Sequence, residues 1–135
     1  MTDELPTIEF AFPGELRDRI IAAIESGAKT ATSSLVREYE IDKDPLPVAG
    51  FRGAVLDSNG ARIFTIETTR VDVVELHHVP LRHALAEGEG YESVADWRAG
   101  HERFWRSPEM RAVLGSDFDL NDNSLVVLEQ FEVVE

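Results

Sequence analysis

The sequence contains no cysteine. This absence excludes disulfides, thiolate catalysis and every metal or iron–sulfur centre that needs cysteine ligands, and it suits a reducing compartment. Hydrophobic runs of membrane-spanning length are also missing. The first four residues are acidic and polar, whereas a signal peptide begins with basic and then apolar residues. We therefore expect a soluble, cytoplasmic protein that has no membrane partner.

Basic residues are scarce, since 13 Lys and Arg stand against 26 Asp and Glu and give a formal net charge of −13. The arginines are scattered, and most have acidic neighbours. A protein that grips many phosphates normally carries a basic face, so long duplex nucleic acid is a disfavoured partner. One nucleotide or a short single strand is still compatible with a local basic cleft. A chain of 135 residues predicts a single domain, residues 1–135, that buries roughly two-thirds of its unfolded surface.

The most informative stretch of the sequence places one lysine among small and hydroxyl residues. It runs Gly27-Ala28-Lys29-Thr30-Ala31-Thr32-Ser33-Ser34. Short hydrogen-bonding groups around one ammonium suit an anionic or carbonyl-bearing ligand, so we take this stretch as a candidate binding site. A structural interpretation is also open. In that case Gly27 ends the preceding helix, Lys29 favours the negative end of the helix, and the hydroxyls cap the next element.

Apolar periodicity and capping residues predict several helices. In the first, Leu16, Ile20, Ala23 and Ile24 share an apolar face, while Arg17, Asp18 and Glu25 lie on the polar face. The predicted helices cover Glu15–Glu25, Leu35–Glu40, Leu81–Glu87 with Pro80 at its first position, a segment from Ser93 through Trp105, and Pro108–Leu114.

A β hairpin is predicted around Asp57-Ser58-Asn59-Gly60, because Asn-Gly tolerates the positive φ values of a tight reversal. Its second arm, Arg62–Val74, is mostly β-branched and resembles a long strand bent by a barrel. Strict alternation would place Ile66, Thr68, Arg70 and Asp72 on one face. A last strand, Ser124–Val134, completes an α+β fold with a small curved or closed sheet and flanking helices.

Two glycines alternate with two carboxylates in Glu87-Gly88-Glu89-Gly90, which predicts a flexible turn that can direct either carboxylate inward. In the next helix, Trp97 and His101 share a face. We expect Trp97 to be chiefly a core residue that can also stack on a nucleobase, and His101 to be half-buried.

Metal ligands are not predicted. The residues Glu75, His77, His78 and His83 fit no strong ligand spacing, and a helix would direct them apart. The acidic turn that holds Asp117, Asp119 and Asp122 lacks the glycine and distal glutamate of a calcium loop. We therefore expect neither a metal nor a cofactor, and no oligomeric state is predicted.

The order of these motifs, from about Phe12 to Val134, resembles the bacterial branch of the ASCH domain family, a relative of the PUA RNA-binding fold. The resemblance is carried by Gly27-x-Lys29 after a helix, Ile66-Glu67-Thr68-Thr69 in a strand, Glu87-Gly88-Glu89-Gly90, and then Trp97, His101 and Phe104. It implies a PUA-like barrel with flanking helices. The family pattern Gly-x-Lys-x-x-Glu-x-Arg departs here at Thr32, where Glu stands in the family, and at Ser34, where Arg stands.

The chain is more similar to the small ASCH enzymes that hydrolyse the amide of N(4)-acetylcytidine, whose motif is Lys-x-x-Thr with a later Glu. That resemblance assigns catalysis to Lys29, Thr32 and Glu87, with Lys29 as nucleophile or proton shuttle and Glu87 as general acid or base. The reverse assignment of Glu87 and Glu89 stays open. The substrate-binding residues would be Gly27, Ser33, Ser34, Glu67, Glu89, Trp97 and His101.

If Glu87 forms an ion pair with Lys29, the lysine stays charged and polarises the substrate carbonyl. The expected ligand is a small modified nucleoside or a short single-stranded RNA. Two other functions remain open, because other bacterial ASCH proteins are ribonucleases on single-stranded RNA and because the same cleft can bind RNA or a nucleotide without turnover.

Overall fold

A computed structural model describes residues 5–134 and has an α+β architecture, as the sequence predicted. Its elements are β1 (Thr7–Ile8), α1 (Glu15–Ser26), β2 (Ala31–Leu35), α2 (Val36–Asp42), β3 (Arg52–Leu56), β4 (Arg62–Glu75), a 3₁₀ turn (Leu76–His78), α3 (Leu81–Ala86), α4 (Val94–Trp105), α5 (Pro108–Leu114) and β5 (Leu125–Val134). None of the helices in these described residues combines the length and the apolar character needed to span a bilayer.

Five strands form one sheet in the order β1-β3-β4-β5-β2. The short β1 pairs in parallel with β3, and the other neighbours are antiparallel. Strands β1 and β2 lie at opposite edges and do not pair with each other, so the sheet of the described residues is open. The expectation of a closed barrel is therefore not confirmed, while the expectation of a small sheet with flanking helices is.

The predicted hairpin is confirmed. The carboxylate of Asp57 accepts hydrogen bonds from the backbone N–H groups of Asn59 and Ala61, both at 2.9 Å, and Gly60 has φ +83°. Since only glycine adopts that φ without strain, Gly60 fixes the reversal between β3 and β4.

An irregularity in β4 changes the predicted alternation. Thr68 pairs with Phe131, but Arg70 pairs with the next residue along β5, Gln130, so the register shifts between Thr68 and Arg70. Paired residues point to the same side of a sheet. Val71 pairs with Glu129, which lies two residues from Phe131 on β5 and so on the same face. Thr68 and Val71 therefore share a face, and Arg70 lies on the other. The prediction that Thr68 and Arg70 share a face is wrong for this reason.

The two faces of the sheet carry separate hydrophobic clusters. One joins α1 to the half of the sheet near β3 and includes Phe10, Ile20, Ile21, Ile24, Val55, Ile66 and Phe131. The other joins α3, α4 and α5 to the opposite face and includes Leu35, Leu76, Trp97, Trp105, Met110, Leu114, Val126 and Leu128. Helices therefore cover both faces, and strand β5 contributes to both clusters.

Helix α1 has the predicted apolar face, but Arg17 is not on the polar side. It is 2% exposed, and its guanidinium donates to the carbonyl oxygens of Phe10, Asp57 and Ala11 at 3.1, 3.2 and 2.7 Å. Arginine offers five donors in a planar fork, so it can satisfy several loop carbonyls that no strand or helix pairs. Arg17 thus joins the segment before α1 to the β3–β4 hairpin.

The helix boundaries follow local signals. Gly27 ends α1 with φ +85°, as its structural interpretation predicted. The hydroxyl of Ser93 caps α4 by accepting from the backbone N–H of Asp96 at 3.0 Å. We expected Pro80 at the first helical position of α3. It is instead the N-cap, one residue before the helix begins at Leu81.

Candidate functional site

The ammonium of Lys29 lies between two carboxylates from the turn after α3. Its Nζ atom is 3.0 Å from Glu89 Oε2 and 3.4 Å from Glu87 Oε1, and the Lys29 residue is 2% exposed. Nζ also donates to the backbone carbonyl of Glu87 at 3.4 Å. Lys29 therefore forms ion pairs with both carboxylates.

Lys29 reaches this position because the end of α1 is tied to the end of α3. The backbone N–H of Lys29 donates to Ala23 at 3.0 Å, and that of Thr30 donates to Ala86 at 2.8 Å. Gly88 makes this close approach possible. A Cβ atom there would lie 2.2 Å from the carbonyl oxygen of Ala28, and Gly88 has φ +65°. A larger residue at position 88 would therefore separate Lys29 from the carboxylates.

Glu87 is buried at the centre of the group and accepts hydrogen bonds on both carboxylate oxygens. Oε2 lies 2.6 Å from Ser33 Oγ, 2.6 Å from Trp97 Nε1 and 3.1 Å from His83 Nε2. Oε1 is 3.2 Å from His101 Nε2 and also faces Lys29. We call these residues the Glu87 group: Lys29, Ser33, His83, Glu87, Glu89, Trp97 and His101.

The donors around Glu87 keep it ionised. Burial alone would raise its pKa, but hydrogen bonds from His101 and His83 and the charge of Lys29 hold the pKa well below its ordinary value of 4.5. A carboxylate with such a low pKa is a weak proton acceptor at neutral pH. Its position and charge therefore suit it to holding Lys29 more than to moving protons.

The ring contacts of the two histidines indicate where their protons lie. His83 Nε2 is 2.7 Å from Ser33 Oγ, and because the Ser33 hydroxyl donates to Glu87, this nitrogen must itself carry a proton. His101 Nδ1 is 2.9 Å from the carbonyl oxygen of Trp97, while its Nε2 faces Glu87. Because a carbonyl oxygen only accepts, the Nδ1 atom of His101 carries a proton.

Ser33, not Thr32, is the hydroxyl that the structure brings to this group. Ser33 pairs with Leu128 and shares its face of the sheet with α3 and α4. Thr32 pairs with Glu129 and lies on the opposite face, because consecutive strand residues alternate. Of the three residues that the resemblance assigned to catalysis, Lys29 and Glu87 meet, and Thr32 lies on the far side of the sheet.

A second polar group lies on the Thr32 side of the sheet. The Ser34 hydroxyl is 3.0 Å from the hydroxyl of Tyr39, and Thr68 donates to Glu129 at 3.1 Å. Burial raises the pKa of Tyr39 to about 12 and raises that of Glu129 despite the hydrogen bond from Thr68. Ser34, predicted to bind substrate, is therefore separated from Lys29 by the sheet.

The remaining predicted residues have other partners. Glu67 accepts from Arg52 at 2.7 Å, and Gly27 ends α1. Trp97 is fully buried, and its ring stacks on His101 with centroids 4.3 Å apart, so in this arrangement it offers no surface to a nucleobase. The side chain of Glu89 is 21% exposed, against 1% for Glu87, which makes Glu89 the carboxylate that faces solvent.

Sequence reasoning missed two residues of the site. His83 precedes Glu87 by four positions, so helical spacing alone would have placed both on one face. Tyr91 lies beside His101 with ring centroids 5.7 Å apart, and burial together with Glu89 and Glu87 raises its pKa to about 12. Tyr91 therefore keeps its proton, and no pattern in the sequence pointed to it.

Two surface cavities lie elsewhere in the described residues. One, of about 250 Å³, is lined by Trp105, Arg111 and Phe118, and the other, of about 280 Å³, by Phe12, Leu16 and Phe104. Neither is lined by the Glu87 group. Because Lys29 is only 2% exposed, a ligand reaches its ammonium only if part of its surroundings moves.

The ASCH domain model matches residues 7–135 of the sequence. The chain belongs to the ASCH domain family. Protein EF3133 of Enterococcus faecalis V583 is 28% identical to this ASCH domain and has a TM-score of 0.82, over 96% of this chain and 76% of that one. An ASCH domain from Lactobacillus crispatus JV V101 is also 28% identical, with a TM-score of 0.78 over 95% of this chain and 79% of that one.

A more distant structure shares the fold alone. A point mutant of ZmASCH from Zymomonas mobilis is 12% identical, with a TM-score of 0.54 over 93% of this ASCH domain and 67% of that chain. No protein with a curated description matches the sequence. Membership of the family suggests RNA or nucleotide binding or a hydrolase-like activity, without naming a substrate.

Proposed function

We propose that this ASCH domain hydrolyses the acyl amide of an N(4)-acylated cytidine nucleoside bound beside Lys29. The observation that carries the proposal is the buried Lys29 ammonium, held between Glu87 and Glu89, with the Ser33 hydroxyl bonded to the Glu87 carboxylate. An ammonium in a site of limited solvent stabilises the negative charge that develops on an amide oxygen during attack. The resemblance to the N(4)-acetylcytidine enzymes supports the same reaction.

In the proposed reaction, Lys29 polarises the acyl carbonyl and Glu89 takes a proton from the attacking water. The C–N bond then breaks, and the same proton passes from Glu89 to the leaving nitrogen, so the products are the carboxylic acid and cytidine. Glu89 is assigned this role because it is the more exposed carboxylate of the pair. The low pKa of Glu87 suits that residue to holding Lys29 in place.

Access to Lys29 requires Glu89 to leave the ammonium. Gly90 follows Glu89 with φ +89°, and a Cβ atom there would meet nothing within 4 Å, so this end of the turn has room to rearrange. Gly88 is packed against the backbone of Ala28 and Lys29, and it keeps the other end fixed. We infer that the turn opens at Gly90, which places the released Glu89 carboxylate beside the polarised carbonyl.

Charge favours a nucleoside over a polynucleotide. The Lys29 ammonium is already paired with two carboxylates, so a phosphate would meet a site that carries net negative charge from these three residues. The net charge of the whole chain, −13, acts in the same direction. A ribonuclease would need to grip phosphates at this position, and the neutral acyl amide does not.

The test is incubation of the purified protein with N(4)-acetylcytidine and measurement of cytidine release by chromatography. We expect Lys29→Met and Glu89→Gln each to lower kcat/KM by about 100-fold or more, which is typical of losing an electrostatic or acid–base group. Glu92→Gln is the matched control. It makes the same change at an exposed residue three positions from Glu89 and should leave turnover unchanged.

A pair of hydroxyl variants separates the two faces of β2. Ser33→Ala should reduce turnover because Ser33 contacts Glu87, whereas Thr32→Ala should have little effect because Thr32 lies on the opposite face. The proposal fails if folded wild-type protein releases no cytidine, or if Lys29→Met and Glu89→Gln retain full turnover. Loss of activity in Thr32→Ala alone would move the catalytic site to the other face of the sheet.

A further inference from the structure

Two of the four histidines lie outside the candidate site and next to each other. His77 and His78 end the 3₁₀ turn that follows β4, and both are exposed, whereas His83 and His101 belong to the Glu87 group. The sequence suggested that a helix would direct these side chains apart. In the observed turn the side chains lie together. The rings of His77 and His78 stack with centroids 3.9 Å apart beside the carboxylate of Glu75.

We propose that Glu75, His77 and His78 form a binding site for a late first-row divalent metal ion such as Zn²⁺. Their ligand atoms all lie within 4.8 Å of one another. Glu75 Oε1 is 2.7 Å from His77 Nε2 and 3.8 Å from His78 Nδ1. Ligands bound tetrahedrally at about 2.0–2.1 Å from a metal lie about 3.3 Å apart. Side-chain rotations that move the ligand atoms by less than about 1 Å bring these two distances to that value.

The backbone that carries these ligands is fixed independently of a metal. The N–H of Leu76 donates to the carbonyl of Ser124 at 2.8 Å, and that of His77 donates to the carbonyl of Asp122 at 3.2 Å. The side chain of Leu76 is 1% exposed and packs into the core. Metal binding therefore orders only three side chains, which lowers its entropic cost.

The donor set determines which ions fit. Two imidazole nitrogens and one carboxylate suit Zn²⁺, Ni²⁺ or Cu²⁺, whereas Mg²⁺ and Ca²⁺ prefer oxygen ligands. Three protein ligands leave a coordination position for water or for another molecule. The carboxylate of Asp122 is engaged by Arg98, so we do not count it as a fourth ligand. The acidic field of the chain attracts cations to this surface in general.

The experiment measures Zn²⁺ binding to the whole chain by titration calorimetry at physiological ionic strength, where general attraction to an acidic surface is screened. We expect one Zn²⁺ per chain. His77→Ala, His78→Ala and Glu75→Gln should each weaken binding about tenfold or more, since even changes to residues behind the ligands cost that much in known sites. An excess of Mg²⁺ should not displace the ion.

Glu109→Gln is the matched control, because it removes one exposed carboxylate elsewhere and should leave the Zn²⁺ affinity unchanged. A circular dichroism spectrum identifies any variant that fails to fold. Because the three ligand variants change exposed or half-buried side chains, at least two of them should fold normally. Absence of Zn²⁺ binding to the wild-type chain, or equal binding by folded wild-type, ligand and control variants, would overturn the proposal.

Discussion

Replacing Glu87 by Gln tests whether the charge of this buried carboxylate organises the candidate site. The substitution preserves size but turns one oxygen into an NH₂ donor. If the remaining oxygen keeps the hydrogen bonds from Ser33 and Trp97, the new NH₂ group faces Lys29 and His101. Both of these are themselves hydrogen-bond donors. Removing one partner of a buried ion pair costs about 3–5 kcal/mol.

The lower end of that range applies here, because Lys29 keeps its contact with Glu89 at 3.0 Å. We therefore expect Glu87→Gln to lower the free energy of unfolding by about 3 kcal/mol at pH 7. At roughly 3 °C per kcal/mol for a domain of this size, Tm should fall by about 9 °C. Urea unfolding followed by circular dichroism measures the free energy, and a thermal melt measures Tm.

The dependence on pH provides a second readout. The pKa of Glu87 in the folded protein lies well below 4.5, so the unfolded chain binds more protons at this group between the two values. The stabilisation is then complete above about pH 4.5 and is lost as the pH falls through the folded-state pKa. The difference between wild type and Glu87→Gln should therefore shrink below pH 4.5, while contributions from other acids cancel.

A double-mutant cycle identifies the partner. If the ion pair with Lys29 contributes, Lys29→Met and Glu87→Gln should be non-additive by at least about 0.5 kcal/mol. The reasoning is refuted if Glu87→Gln costs less than about 1 kcal/mol at pH 7, or if its cost is the same at pH 7 and pH 3.

Two further changes test the packing that holds the site and the hairpin. Gly88→Ala should cost about 2–4 kcal/mol in urea unfolding, because the new Cβ would overlap the carbonyl of Ala28, whereas Gly90→Ala should cost only about 1 kcal/mol for its positive φ. Equal losses would contradict the packing argument. Arg17→Met should cost about 3 kcal/mol because it leaves buried loop carbonyls without donors, and Arg19→Met, at an exposed position of α1, should stay within about 0.5 kcal/mol. A small loss at Arg17 in the same unfolding assay would show that water replaces the guanidinium.

Those parts of the fold that depend on neighbouring residues could be predicted from the sequence. Gly27 ends α1, Asp57–Gly60 forms the turn of the hairpin, and Ser93 caps the start of α4. Each of these depends on a local hydrogen bond or on a φ value that few residues adopt. Strand β2 was harder to predict. Its hydroxyl residues resemble a loop, and its extended form depends on pairing with β5, which is remote in the sequence.

The shift in β4 and the burial of Arg17 were not predictable by the same reasoning. Alternation assumes a regular strand, so a single register shift after Thr68 reverses every later assignment in β4. Arg17 was expected to face solvent because helical periodicity carries no information about the carbonyl oxygens of a distant hairpin, to one of which Arg17 donates. Both features arise from contacts between segments and not from the local pattern.

For the candidate site, the resemblance predicted that Lys29 and Glu87 lie together, and the structure places them in contact. It assigned Thr32 as the hydroxyl that joins them, whereas the alternation of β2 places Ser33 against Glu87 and Thr32 on the opposite face of the sheet. The donors around Glu87 come from β2, α3 and α4, so its low pKa depends on the tertiary arrangement. Catalysis by these residues stays a prediction.

The position of β5 has a consequence for biosynthesis. Among the described residues this strand follows all the others in sequence, yet it lies between β4 and β2, and it is the sheet partner of β2. While the chain is being made, β2 therefore has no partner until residues 125–130 have left the ribosome, and the hydroxyl of Ser33 cannot be positioned against Glu87. Pairing between segments so far apart in sequence is slow to form. The candidate site should consequently acquire its native arrangement only after β5 has been synthesised.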